Sequence, residues 1–341
     1  MGLPAGRVAI ASAVGAVALV VAFAVLLVAR DDVEPARGDL IAYGCDEPDL
    51  AWYAICVVKT DGTARRQLTH GLEASDPSWS PDGRRIVFTR HRSGGERVSF
   101  QYDELYVVDS AGESVRKLTD NRTGFTIAKP SWSPDGRFLA FVRGRTLPSA
   151  GVTLGAVFVM NEDGTGVRRI TRGPLDSSPE WSPDGTRIVF TRAEDYTSFA
   201  NADVYVVGAS GGEARRLTTT AHRLETEPVW SPDGRSLVFA TATPRTQFNG
   251  RAALHVMGSA GGGQRRLADV RLFSRQPGNL AWSPDGRAIA LELSTAEGCT
   301  TIGLLRLDNV PGVVHPLLPC AEVADGASAP AWQPFEGTGA P

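Results

Sequence analysis

Beyond residue 38 the chain is written in short apolar runs separated by turn residues, and the runs recur in a fixed order. One unit reads RRIVFTR, a loop, DELYVVDSAGESVRKLT, a second loop, then KPSWSPDG. The next three superpose on it, as RFLAFVR…GAVFVMNEDGTGVRRIT…SPEWSPDG, TRIVFTR…ADVYVVGASGGEARRLT…EPVWSPDG and RSLVFAT…AALHVMGSAGGGQRRLA…LAWSPDG. Each unit therefore holds four runs rich in Val, Ile, Phe and Tyr, the length and composition of β-strands. No stretch beyond residue 38 carries a helical period.

The pentapeptide WSPDG starts at Trp79, Trp132, Trp181, Trp230 and Trp282, at intervals of 53, 49, 49 and 52 residues. A period near 50 with four strands per unit predicts an all-β propeller, because one twisted sheet must pack against its copies to cover both faces. The ends set the blade count. The first unit, LIAYGC…AICVVKTDGTARRQLT, has three strands and no preceding Trp strand, whereas APAWQPFEG near the carboxyl terminus holds a lone one at Trp332. Joining them predicts six blades, with the last strand zipped beside the first unit.

The pentapeptide is itself a turn signal. Proline presets φ for a type I turn, aspartate bonds back to local amides, and glycine takes the left-handed position that closes the hairpin. Six of the seven tryptophans, all but Trp52, occupy this one repeat position. That regularity favours packing between blades over ligand stacking.

The extended form P-x-W-S-P-D-G, at 77–83, 130–136, 179–185 and 228–234, resembles the WD40-like repeats of TolB-type propellers. The resemblance covers residues 39 to about 335 and implies the propeller fold. TolB-type proteins carry a further N-terminal α/β domain that this chain replaces with an apolar segment and a linker, so that domain's partners do not transfer. Similar repeats also occur in propellers joined to serine peptidases, whose hydrolase domain has no counterpart here.

The segment from Val8 to Ala29, VAIASAVGAVALVVAFAVLLVA, holds 22 residues without a charge. As a helix rising about 1.5 Å per residue it spans a hydrocarbon core of about 30 Å. It is also longer than the apolar region of about 7–15 residues in a cleaved signal peptide. The expected organisation is a cytoplasmic tail over 1–7, a signal-anchor helix over 8–29, a linker over 30–38, the propeller over 39–335 and a tail over 336–341.

Charge excludes more than it suggests. With 35 basic and 38 acidic residues and a net charge of −3, no overall field recruits nucleic acid. The basic pairs in RRQLT, VRKLT, VRRIT, ARRLT and QRRLA fall on each unit's outermost strand, where long charged side chains discourage edge-to-edge pairing. The four cysteines, Cys45, Cys56, Cys299 and Cys320, form two close pairs near the two ends, an arrangement suited to disulfides in an oxidising compartment. Crossed pairing such as Cys45 with Cys320 stays open, since the first and last units become neighbours.

Candidate chemistry is sparse. GASGG at 208–212 matches a nucleophile elbow, yet its equivalents DSAGE and NEDGT are hairpin turns and a strand follows it, which argues against Ser210. His70, His91, His222, His255 and His315 show no metal spacing, and no cofactor is expected. Tight turns occupy one face of the predicted propeller and long loops the other, a distribution that places recognition on the long-loop face. That face carries Arg92, Phe100, Tyr102, Arg145, Tyr196, Phe199, Arg245 and Phe248, the arginines and aromatics enriched at protein interfaces. A second candidate is the channel mouth at the start of each Trp strand, with Asp76, Lys129, Asp176, Glu225, Glu227 and Asn279. The expected activity is non-catalytic binding of an envelope protein or polymer, on the outer side of a bacterial cytoplasmic membrane. The rival expectation is a lyase or hydrolase acting on a polysaccharide or peptide at the channel mouth.

Overall fold

The computed structural model describes residues 38–46, 53–93, 101–121, 125–147, 152–173, 175–194, 201–220, 223–243, 251–271, 280–295, 299–308, 312–319 and 328–334. The expected anchor over 8–29 lies outside them, and no helix among the described residues is long and apolar enough to cross a membrane. Among the described residues all regular structure is β.

The strands run in antiparallel meanders, one per repeat. The first repeat folds as β1 (Leu40–Asp46), β2 (Tyr53–Lys59) and β3 (Arg66–Gln67), and the second as β4 (Glu73–Trp79), β5 (Arg85–Ser93), β6 (Gln101–Asp109) and β7 (Val115–Lys117). Next come β8 (Thr126–Trp132), β9 (Phe138–Leu147), β10 (Val152–Asn161) and β11 (Arg168–Arg169). Then β12 (Asp176–Trp181), β13 (Arg187–Ala193), β14 (Ala202–Gly208) and β15 (Arg215–Arg216) precede β16 (Leu224–Trp230), β17 (Ser236–Ala242), β18 (Arg251–Gly258) and β19 (Arg265–Arg271). The last set is β20 (Ala281–Trp282), β21 (Ala288–Ser294), β22 (Thr300–Arg306) and β23 (Val314–Pro316), followed by β24 (Ser328–Trp332). A single parallel bridge, Ala202 to Leu224, links the β12–β15 meander to β16–β19, so those two share one sheet.

β24 does not extend the last meander. It pairs with β1, with Ile41 opposite Trp332 and Ala42 opposite Ala331. Gln333 N–H donates to Leu40 O at 2.9 Å, and the Trp332 indole donates to Gly38 O at 2.7 Å. The apolar clusters follow the same circular order. One joins Leu40, Ile55 and Val57 to Trp79 and Phe88 of the next sheet. Another joins Ile41, Tyr43 and Val58 to Ala290 and Ile302 of the last.

The WSPDG turns repeat one hydrogen-bond pattern. Ser80 Oγ donates to Asp82 Oδ1 at 2.6 Å, Arg84 N–H donates to the same oxygen at 3.1 Å, and Gly83 N–H donates to Ser80 O at 2.8 Å. Gly83 has φ 66°, a left-handed conformation that glycine adopts without strain. The preceding indoles of Trp79, Trp132, Trp181 and Trp230 are buried between sheets, and arginines cover two of them, Arg85 over Trp132 at 5.0 Å and Arg187 over Trp230 at 4.7 Å.

Cys45 and Cys56, on adjacent strands β1 and β2, form a disulfide. Cys299 is also disulfide-bonded, while Cys320 lies outside the described residues.

Candidate functional site

Four of the Trp strands carry a bulge just before their tryptophan, and the pairing of β24 with β1 is also shifted. In β4 the register with β5 shifts between Ser75 and Ser78, and equivalent shifts occur in β8, β12 and β16. One residue per bulge sits in the left-handed region although it is not glycine: Asp76 (φ 50°), Lys129 (φ 56°), Ser178 (φ 51°), Glu227 (φ 54°) and Ala329 (φ 52°). Each costs on the order of 1 kcal/mol or more of backbone strain. Such strain, repeated at one position of five units, marks a place where side chains are aimed.

Three of the five reach the axial cavity, and Asp76 joins them through Lys129. Lys129, Ser178 and Glu227 line a cavity of about 300 Å³ walled by the prolines and tryptophans of the repeats. Lys129 Nζ lies 3.4 Å from Asp76 Oδ1 and 3.5 Å from Glu227 Oε1, and Ser178 Oγ donates to Glu227 Oε1 at 2.7 Å. These groups come from the second, third, fourth and fifth repeats. Burial works against the Lys129 charge, but Glu227 and Asp76 outweigh it and hold the ammonium well above the usual lysine range. A polar ring of one cation, two carboxylates and a hydroxyl thus spans the channel.

One step nearer the tryptophan, Glu180 also lines the cavity. Burial pushes its carboxyl up to about 7; the hydrogen bond from Ser131 Oγ at 2.9 Å opposes that, and the Glu227 charge adds to it. This acid binds its proton more tightly folded than unfolded, where it titrates near 4.5. Stability is unaffected below pH 4.5, falls between 4.5 and 7, and carries a constant penalty above, on the order of 3 kcal/mol. Glu180→Gln is therefore expected to raise the melting temperature at pH 8 and leave it unchanged at pH 4. Equal melting of the two proteins at pH 8 contradicts this placement.

The remaining residues singled out in the sequence fall in several environments. Asp76, Lys129 and Glu227 belong to the ring. Asp176 instead forms a two-point ion pair with Arg192, at 2.6 and 3.0 Å. Glu225 is fully buried, and burial raises its carboxyl against the lowering effect of Thr218 and Thr220. Neither lines the cavity, because both precede the bulge, which reverses the alternation of side chains along the strand. Arg92 and Arg145 are both exposed. Arg92 lies 3.8 Å from the buried Glu104 carboxylate, and Arg145 stacks over Phe125 at 5.8 Å. Tyr102 stands opposite Arg92 in the ladder. Phe100, Tyr196, Phe199, Arg245, Phe248 and Asn279 lie outside the described residues. Ser210 occupies a hairpin turn, with Gly211 N–H donating to Gly208 O at 2.8 Å.

Ser178 and Glu180 went unrecognised in the sequence. Aligning the third residue before each WSPDG tryptophan and the one directly before it finds both.

The TolB beta propeller domain model matches residues 50–199, 102–239 and 176–311. An uncharacterized peptidase of Bacillus subtilis, YuxL, is 43% identical over 79 residues, 23% of this chain and 10% of that protein. The Tol-Pal system protein TolB of Zymomonas mobilis is 37% identical over 83 residues, 24% of this chain and 16% of its own length. The chain thus spans a small part of both relatives. The crystal structure of TolB from Acinetobacter baumannii superposes with a TM-score of 0.67 at 18% identity, covering 87% of this chain and 67% of that one. With matches over most of its length and the meanders described above, the chain belongs to the TolB beta propeller domain family.

Proposed function

We propose that this chain is a six-bladed extracytoplasmic propeller, tethered to the cytoplasmic membrane by residues 8–29, that binds a protein or polymer of the bacterial cell envelope. The observation that carries the reading is the strained polar ring of Asp76, Lys129, Ser178 and Glu227 at the channel. Strain held at one position of successive repeats brings the charges of Asp76, Lys129 and Glu227 together at the channel. The exposed Arg92 and Arg145 extend this surface to the long-loop side. Relatives named as Tol-Pal system proteins support the envelope placement, and the disulfide supports an oxidising compartment.

Affinity capture from native membranes tests the reading. Arg145→Glu and Arg92→Ala are expected to weaken recovery of the wild-type partner set at least tenfold without moving the melting temperature. Arg92→Ala is preferred to charge reversal there, which would set a carboxylate against Glu104. Recovery unchanged in both variants excludes this face as the contact surface.

A further inference from the structure

Three adjacent strands of the second repeat carry a hydrogen-bonded chain that the binding reading leaves unused. Ser75 on β4 lies with Oγ 2.8 Å from His91 Nε2 on β5. The other ring nitrogen, Nδ1, lies 2.8 Å from Asp103 Oδ1 on β6. Asp103 stands directly opposite His91 in the ladder, and Asn121 Nδ2 donates to the Asp103 carbonyl at 2.8 Å, fixing its backbone. The carboxylate is buried at 8% exposure whereas the imidazole keeps 35%, so the orienting group is shielded and the base is reachable. Equivalent ladder positions in the two following repeats pair Gly144 with Gly155 and Ala193 with Ala202. In the sixth repeat the equivalent pair is Ser294 with Thr300, so among these pairs only the second repeat sets an acid against a base.

We propose that Ser75, His91 and Asp103 form an acyl-transfer centre in which Ser75 Oγ is the nucleophile toward carboxylic esters without negative charge. Geometry assigns the roles: nucleophile to base, base to orienting carboxylate, each within hydrogen-bond reach. With Nδ1–H donating to Asp103, Nε2 accepts the serine proton. Ser75 Oγ attacks the ester carbonyl carbon as its proton passes to Nε2. The imidazolium returns that proton to the departing alcohol oxygen as the carbon–oxygen bond breaks, leaving an acyl ester on Ser75. Water then attacks the acyl carbon, its proton passes through Nε2 to Ser75 Oγ, and a carboxylic acid leaves.

The bulge supplies the remaining element. It takes Asp76 and Pro77 out of regular pairing. Proline has no N–H, so within this proposal the oxyanion falls to the amide of Asp76, directly after the nucleophile. Glu73, Asp76 and Asp103 surround His91 with negative charge, a field that disfavours anionic esters. Burial lowers the imidazole pKa, but the bond to Asp103 and these charges outweigh it, holding His91 above the ordinary histidine range.

The test exposes the folded full chain to a biotinylated fluorophosphonate, which phosphonylates activated serines with loss of fluoride, and to p-nitrophenyl acetate. We expect one adduct, mapped by mass to the Ser75 peptide and absent from Ser75→Ala. Labelling and ester hydrolysis should rise together with pH as His91 loses its proton. Both should slow at least 100-fold in His91→Gln, and also fall in Asp103→Asn, which keeps the size of the buried side chain should His91→Gln melt early. Absence of an adduct on Ser75, or labelling at an equal rate in His91→Gln or Asp103→Asn of wild-type melting temperature, overturns the proposal.

Discussion

Removing residues 328–341 is expected to abolish the cooperative thermal transition. The segment contains β24, whose loss strips β1 of its inner neighbour along Ile41, Ala42 and Gly44. It also withdraws the Trp332 indole, packed against the cluster that joins the first sheet to the last. An indole removes about 150–250 Å² from water, so this side chain alone contributes about 4 kcal/mol at 25 cal/mol per Å². A domain of ordinary stability has about 5–15 kcal/mol in total. The exposed inner edge of β1 also becomes a template for pairing between chains. Calorimetry and size-exclusion chromatography check the outcome: a broad or absent transition and aggregated material are expected. Wild-type melting of the shortened chain would mean that β24 does not hold the ends together.

The second large effect is expected at the channel. Lys129→Met leaves Asp76 and Glu227 facing one another without their shared cation. Removing one partner of a buried ion pair typically costs about 3–5 kcal/mol. The lysine side chain keeps 24% exposure, which places the loss near the lower end, about 3 kcal/mol. At about 2 °C per kcal/mol for a chain of this size, the melting temperature falls by about 6 °C.

Much of this architecture is written plainly along the chain. Period, strand count and turn chemistry all repeat in register, so local signals agree at every level. The pairing of β24 with β1 follows from a missing Trp strand at one end and a surplus one at the other. The site is less legible, and the reason is the bulge. Asp176 and Glu225 stand two residues before Ser178 and Glu227, a spacing that in a regular strand puts both on one face. The extra residue reverses that phase, and only the later positions turn to the channel. Partners in the ring lie about one or two repeats apart in sequence, so no linear spacing connects Lys129 with Glu227. His91 matches no metal motif, the case in which spacing along the chain is informative. Its partners are cross-strand neighbours, which appear only once β4, β5 and β6 are set in register.

Equivalent strained positions of non-adjacent repeats meet around one axis. A double-mutant cycle on Lys129 and Glu227, with Lys129→Met, Glu227→Gln and the pair measured by denaturant unfolding, checks this contact. Contact across the channel predicts a double variant less destabilised than the sum of the singles by about 1–2 kcal/mol. Additive losses, within about 0.5 kcal/mol, would mean that the two side chains do not meet and that the ring does not exist.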